Sequence, residues 1–153
     1  MRKAATEIPV HEMRELAYHE AGHVLANLHF NIDFASASIC EDGSGCVDLL
    51  QSFPSNVTEA EPFTIALFAG HAAEHVICGS DLRVEGDDWD TVYSRVLPLF
   101  RSSERFDTFT DKMLSKAVRL MQLRRNEVRT IGDALFAKKR LSKQQMLNIL
   151  SRS

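Results

Sequence analysis

Two histidines four residues apart are the part of this sequence best suited to chemistry. His19, Glu20 and His23 form an H-E-x-x-H motif within a run of helically spaced apolar residues. Residues four apart lie on the same face of a helix, so both imidazoles can bind one metal ion. Glu20 stands beside them, where its carboxylate can act on a water molecule at that metal. The motif therefore predicts a zinc site with His19 and His23 as ligands and Glu20 as the catalytic base.

A third ligand must come from elsewhere, because a catalytic zinc ion typically has three protein ligands and an open position. On the third predicted helix, Asp88 shares an inward stripe with the apolar Val92 and Val96. Asp90 shares the outward face, and Asp87 suits the N-cap position. Spacing alone thus favours Asp88 as the third ligand. The alternatives that it leaves open are His71, Glu74, His75, Asp81, Asp87 and Asp90.

A second histidine motif, H-x-x-E-H, runs from His71 to His75 and contains Glu74. It has the form of a reversed zinc motif, but it lies on the helix predicted to be most buried. That position favours hydrogen-bonded histidines over a second catalytic centre. A buried carboxylate needs a partner, and the histidines of the first motif can provide one. Glu74 is therefore predicted to orient a metal-ligating histidine without contacting the metal itself, with direct ligation left open.

These side chains must be positioned by a mainly helical fold with a small β-hairpin or sheet. Apolar periodicity and turn residues predict a first helix over residues 10–30, strands over 34–40 and 46–50, and a second, buried helix over 58–78. Thr58 and Glu61 have the spacing of a capping box at the start of that second helix. A glycine inside a helix weakens it, so Gly22 predicts close packing of the first helix against a neighbour.

The remaining sequence is predicted to be helical as well. The pattern indicates a third helix from about residue 87 to 101, bent or interrupted at Pro98, and a long helical segment over 104–140 with a break near Gly132. Leu141 and Ser142 mark a stop and a new cap before a short last helix. The fold class is α+β, mainly α, in a single domain covering residues 1–153.

The composition is typical of a soluble globular protein, with 44% hydrophobic and 25% charged residues. No apolar run approaches the roughly 20 residues needed to cross a bilayer. The first ten residues form a short lead-in without the apolar core of a secretory signal. Three cysteines without C-x-x-C spacing, Cys40, Cys46 and Cys78, favour reduced thiols, with a Cys40–Cys46 pairing left open. We therefore expect a cytoplasmic protein without a membrane segment.

Charge is unevenly distributed along the chain. Residues 1–111 carry 7 basic and 19 acidic side chains, whereas residues 112–153 carry 11 basic and 2 acidic ones. A basic C-terminal surface can bind nucleic acid, but no aromatic residues alternate with the basic ones. We expect a solvated helix face rather than nucleic-acid binding.

Three motifs together give the chain a resemblance to the peptidase domain of the FtsH family of ATP-dependent zinc proteases. They are Ala17 to His23, then Ala69 to His75 with Gly79, and then Gly86-Asp87-Asp88, and they occur in the order and nearly the spacing of that family. The resemblance covers most of the chain. It implies that His19, His23 and Asp88 are zinc ligands and that Glu20 is the catalytic base. It also implies a mainly helical domain whose small sheet has an edge strand able to pair with an extended peptide.

The chain also departs from that family. No transmembrane anchor, AAA+ ATPase module or G-x-x-x-x-G-K-[ST] motif is found in the sequence. His71 replaces the arginine usual in the family, and His75 replaces an acidic residue. We therefore expect a zinc-dependent metalloendopeptidase that stands alone and hydrolyses peptides or unfolded proteins. The alternative is a catalytically silent, metal-stabilised binding or adaptor module that works with a separate AAA+ ATPase. The sequence leaves both that partner and a homo-oligomer open.

Overall fold

The computed structural model describes residues 7–152 as a helical domain with one small sheet. The helices are α1 (Val10–His29), α2 (Val57–Cys78), α3 (Asp87–Arg95), α4 (Ser103–Leu123), α5 (Arg125–Lys138) and α6 (Lys143–Ser151), and a 3₁₀ turn spans Leu97–Leu99. The strands are β1 (Phe34–Ile39), β2 (Gly45–Leu49) and β3 (Arg140–Ser142). The predicted mainly helical α+β class is confirmed. Parts of the predicted lead-in and of the domain range 1–153 lie outside the described residues.

Helices α1 and α2 form the centre of the fold and cross closely. A Cβ atom added to Gly22 of α1 would lie 2.4 Å from the Ala69 carbonyl oxygen and 2.7 Å from the Ala73 Cβ. Only glycine permits this approach, so the predicted close packing at Gly22 is confirmed. Helix α1 also packs against α5 and the sheet, and α2 packs against α3 and α4. The two histidine motifs are therefore carried by adjoining helices.

Helix α1 is held against α5 by Tyr18. The Tyr18 ring packs directly on Gly132 of α5, where an added Cβ would come within 2.2 Å of a ring carbon. The Tyr18 hydroxyl donates to Asp133 Oδ1 at 2.6 Å. Since His19 is the next residue, this contact fixes the start of the H-E-x-x-H motif. The predicted break at Gly132 is therefore wrong: this glycine lies inside α5 and makes room for an aromatic ring.

The sheet is antiparallel with the strand order β2-β1-β3. Strand β1 is largely buried at its centre, and β2 forms an edge whose outer side pairs with no other strand in the described part of the chain. Strand β3 was not predicted. Within the hairpin, Cys46 lies opposite Ser38 rather than Cys40, and Cys40, Cys46 and Cys78 are all free thiols.

Several helix boundaries differ from the sequence prediction. Helix α2 is capped by Asn56, whose side chain accepts from the Glu59 amide, and not by Thr58. Gly86 rather than Asp87 precedes α3 as its N-cap. The break in the long C-terminal helical segment lies at Arg124, between α4 and α5. The stop at Leu141 and Ser142 is confirmed, because Ser142 forms a capping box with Gln145.

No helix within residues 7–152 is both long and apolar enough to span a membrane.

Candidate functional site

The two histidines of α1 converge with an aspartate of α3. His23 Nε2 lies 3.0 Å from His19 Nε2. Asp88 Oδ2 lies 3.2 Å from His19 Nε2 and 3.3 Å from His23 Nε2. The three atoms form a compact triangle at the point where α1, α2 and α3 meet. The structure thus brings together the three residues that the sequence selected as metal ligands.

Glycine at position 70 of α2 creates the space for this triangle. A Cβ atom there would lie 2.6 Å from Nε2 of both His19 and His23. Any larger residue would overlap the two nitrogens that point toward Asp88. The close crossing of α1 and α2 therefore contributes to the site directly, because it sets both rings against a backbone without a side chain.

Asp88 is positioned by the inward face of α3. Val92 and Val96 of the same stripe are fully buried, as the sequence predicted. Trp89 stacks on Phe68 of α2 with ring centroids 6.4 Å apart, which fixes the start of α3 against the core. The Asp88 side chain, which is 20% exposed, then faces the histidines.

Hydrogen bonds at the far side of each ring determine what the converging nitrogens present. His23 Nδ1 donates to the Ala66 carbonyl oxygen at 2.8 Å, because a carbonyl oxygen can only accept. His19 Nδ1 faces Glu74 Oε2 at 3.5 Å, and that carboxylate is also an acceptor. With a hydrogen on each Nδ1, a neutral ring has a lone pair on Nε2. Two lone pairs and a carboxylate oxygen thus converge on one point.

A cation placed between these atoms would balance this concentration of negative potential. Ligand atoms at about 2.0–2.1 Å from a tetrahedral zinc ion stand roughly 3.3 Å from one another, close to the separations found here. His19, His23 and Asp88 accordingly have ligand atoms placed to hold one metal ion together. Two imidazoles and one carboxylate are also a donor set that zinc commonly takes. The residues present therefore fit a divalent metal.

The pKa values of the three side chains also indicate that the site favours positive charge. Burial alone would lower the pKa of His19, but hydrogen bonds to Asp88 and Glu74 outweigh it and raise that pKa to about 10. Burial opposes protonation of His23 too, yet the charge of Asp88 raises its pKa above the ordinary value. Burial would raise the pKa of Asp88, but the charge of His23 and hydrogen bonds from the surrounding imidazoles hold it far below its usual range. The site therefore favours positive charge, which protons can supply.

Glu20 lies beside the triangle and against the edge strand. The residue is 5% exposed, and an added Cβ at Gly45 of β2 would come within 2.5 Å of Glu20 Oε1. Burial raises the pKa of Glu20, because the charged carboxylate loses contact with water, although the neighbouring histidines partly offset the effect. Such a shift brings a carboxylate closer to the range useful for a general base at neutral pH.

The site opens into two depressions that meet at His19, Glu20, His71 and Glu85. One, of about 530 Å³, follows the edge strand β2 and is lined mainly by apolar residues toward its far end, among them Ile32, Val47, Leu49, Phe63 and Leu67. The other, of about 660 Å³, has walls rich in acidic residues, among them Glu12, Glu15, Glu74, Asp81 and Glu85. The first of these depressions forms a groove along β2, and its lining includes the three predicted metal ligands.

The reversed motif on α2 divides between two environments. Glu74 reaches His19 Nδ1, as predicted for a residue that orients a ligand. His75 Nδ1 instead donates to the Ser80 carbonyl oxygen at 2.7 Å, beyond the end of the helix. Among the other candidate ligands, Asp81, Asp87 and Asp90 are exposed, and within the described residues they belong to no group able to share a metal ion.

The sequence left His71 open as a metal ligand and favoured a hydrogen-bonded histidine there, and the structure places it at the site. His71 Nε2 lies 3.4 Å from Asp88 Oδ2, and its ring meets the His19 ring edge-on with centroids 4.7 Å apart. The spacing of His71 and Glu74, three residues apart on one helix face, was the available signal, because Glu74 already pointed to the first motif.

Comparison with models of protein families and with curated proteins found no match to this sequence.

Proposed function

We propose that this protein is a zinc-dependent metalloendopeptidase that hydrolyses peptides or unfolded chains, with a peptidase domain like that of the FtsH family. The observation that carries the proposal is the triangle of His19 Nε2, His23 Nε2 and Asp88 Oδ2, with sides of 3.0, 3.2 and 3.3 Å, beside Glu20 in an open groove. His19, His23 and Asp88 would hold the zinc ion. When bound, zinc supplies Lewis acidity, which polarises a carbonyl group and lowers the pKa of water to about 7.

The residues of the chain supply the acid–base chemistry and the alignment. Glu20 accepts the proton of the attacking water on its carboxylate and later delivers it to the leaving amine. Glu74 and the Ala66 carbonyl oxygen hold the His19 and His23 rings in the tautomer that presents Nε2. Proton transfer by a positioned group of this kind contributes about 10²–10⁴-fold to the rate.

The groove favours an extended substrate. Strand β2 is an edge strand, and Gly45, Cys46, Val47 and Leu49 line the groove beside Glu20. A peptide that pairs with this edge would use main-chain hydrogen bonds, which are independent of its sequence. We therefore expect weak sequence specificity and a requirement for unfolded substrate.

The test compares wild-type protein with Glu20→Gln and His23→Ala, using labelled casein and a quenched fluorescent peptide. We expect Glu20→Gln to keep its metal and lose cleavage, because the amide cannot accept the proton. His23→Ala should lose both metal and cleavage. Full activity of Glu20→Gln would refute the mechanism, and a wild-type protein that holds zinc without turnover would favour the adaptor module that works with a separate ATPase.

A further inference from the structure

His71 is a half-buried histidine at the edge of the site. It belongs neither to the triangle of predicted metal ligands nor to the acid–base role of Glu20. Its side chain is 14% exposed and lines both depressions beside His19 and Glu20. Each ring nitrogen faces a carboxylate: Nε2 lies 3.4 Å from Asp88 Oδ2, and Nδ1 lies 3.8 Å from Glu74 Oε2. A side chain with two oriented nitrogens at the wall of a reactive groove calls for a chemical explanation.

Metal ligation by His71 would not serve a hydrolase. A fourth protein ligand fills the position that a catalytic zinc ion leaves open. The geometry also separates His71 from the triangle, because its ligand atoms group with those of His19 and Glu74, whereas Asp88 groups with His19 and His23. His71 therefore stands next to the predicted metal ligands without completing their set.

The two ring nitrogens of His71 make contacts of different length. The Nε2–Asp88 separation of 3.4 Å is the shorter, whereas the Nδ1–Glu74 separation of 3.8 Å is too long for a hydrogen bond. A hydrogen on Nε2 points toward Asp88 Oδ2. That oxygen also lies within 3.3 Å of His19 Nε2 and His23 Nε2. A cation held by Asp88 would make that oxygen a weaker acceptor, and an N–H at His71 Nε2 would then be available to another oxygen in the groove.

We propose that His71 is a further catalytic residue, which donates a hydrogen bond from Nε2 to the carbonyl oxygen of the scissile peptide as negative charge develops there. This inference rests on the proposed hydrolase function and specifies how the substrate oxygen is stabilised. A donor fixed in advance by the surrounding protein stabilises the transition state more than the bound substrate. Loss of one such donor typically lowers kcat by about 10²–10³-fold.

The first experiment compares three variants of the full chain in kcat, KM and zinc content. In His71→Phe an aromatic ring remains but the donor is lost, so kcat should fall by about 10²-fold or more, with KM and zinc content little changed. His71→Gln retains an N–H donor and should recover part of the lost kcat. His75→Phe is the matched control from the same motif, and it should behave like wild type. Loss of zinc in His71→Phe would instead identify a ligand, and unchanged kcat would refute the proposal.

A second measurement does not depend on turnover. A phosphinic peptide carries tetrahedral, negatively charged oxygens where the reacting carbonyl stands, whereas the matched amide peptide does not. On a Glu20→Gln background, His71→Phe should weaken binding of the phosphinic peptide much more than binding of the amide peptide. Equal weakening of both, or no binding of the phosphinic peptide to the zinc-loaded parent, would overturn the role of His71. The proposed function fails separately, if Glu20→Gln itself cleaves like wild type.

Discussion

The two histidine motifs of this protein have similar composition but different surroundings. On α1, His19 and His23 turn their Nε2 atoms to one point shared with Asp88. On α2, His71 turns to the same point, but His75 bonds the Ser80 carbonyl oxygen at the end of its own helix. Spacing by four residues gives each pair a common face. The neighbouring elements decide whether that face becomes a site.

The neighbours differ in two physical respects. The α1 pair faces Gly70, which has no side chain, and an aspartate supplied by a third helix. His75 lies in the last turn of α2, where the following loop offers a carbonyl acceptor instead of a carboxylate. A metal site thus needs converging donors from separate elements, and the second motif contributes only its first histidine and its glutamate to that convergence.

The largest difference should appear when one histidine of each motif is removed in turn, His23 from the first motif and His75 from the second. His23→Ala deletes a predicted ligand. We expect zinc affinity to fall by more than about 10–100-fold, which is the loss typical when a residue that supports a ligand is changed. His75→Ala should leave zinc affinity unchanged, because its partner is the Ser80 carbonyl oxygen. Zinc titration by competition with a chromophoric chelator measures both. Equal losses of zinc affinity in the two variants would contradict the proposed difference between the motifs.

Filling the space opposite the α1 pair should have the next largest effect. In Gly70→Ala the new Cβ overlaps both Nε2 atoms, so we expect weaker zinc binding and a loss of about 1–3 kcal/mol in the free energy of unfolding. Gly79→Asn is the control on the same helix, since no atom lies within 4 Å of an added Cβ and asparagine tolerates the positive φ there. Urea unfolding and zinc titration provide the readouts. Wild-type zinc affinity in Gly70→Ala would show that the glycine is not needed for convergence.

Removing the carboxylate that faces His19 should weaken the metal site moderately. Glu74→Ala leaves His19 Nδ1 without its acceptor, and we expect zinc affinity to fall by about 10–100-fold. Glu61→Ala on the same helix is the control, because that carboxylate forms only a surface ion pair with Lys116. A loss as severe as that of His23→Ala would instead indicate that Glu74 binds the metal directly.

A pH dependence should separate metal-free from metal-loaded protein. The pKa of His19 is about 10 in the folded chain against an ordinary 6.5, so protonation stabilises the metal-free fold fully below pH 6.5. That contribution is lost as the pH rises toward 10. We expect the Tm of chelator-treated protein to fall over this range, and the fall to be reduced in zinc, where the metal replaces the protons. A metal-free Tm that rises with pH in this window would contradict the site electrostatics.

The first motif was predictable because helix periodicity alone sets His19 and His23 on one face. Asp88 was accessible in a similar way, since its stripe includes the buried Val92 and Val96. The contact of His71 with Asp88 stayed open, because the register of α2 against α3, which no local pattern encodes, determines where its ring points.

The misplaced boundaries have comparable causes. Asn56 and Glu59 have the same capping spacing as Thr58 and Glu61, and the earlier pair is the one used. The break at Arg124 lacks a glycine or proline, and the Arg124 guanidinium there contacts His29 and Glu127. Strand β3 has only three residues and exists through its pairing with β1. At Arg124 and in β3, tertiary contacts decide among several locally acceptable structures.

Zinc-edge anomalous diffraction from crystals of zinc-loaded protein, together with the zinc content of the same sample, tests the central claim most directly. The account predicts one zinc ion per chain, ligated by His19, His23 and Asp88, with an open position toward Glu20. A zinc ion bound by other side chains, or a chain that takes up no zinc while folded, would contradict it.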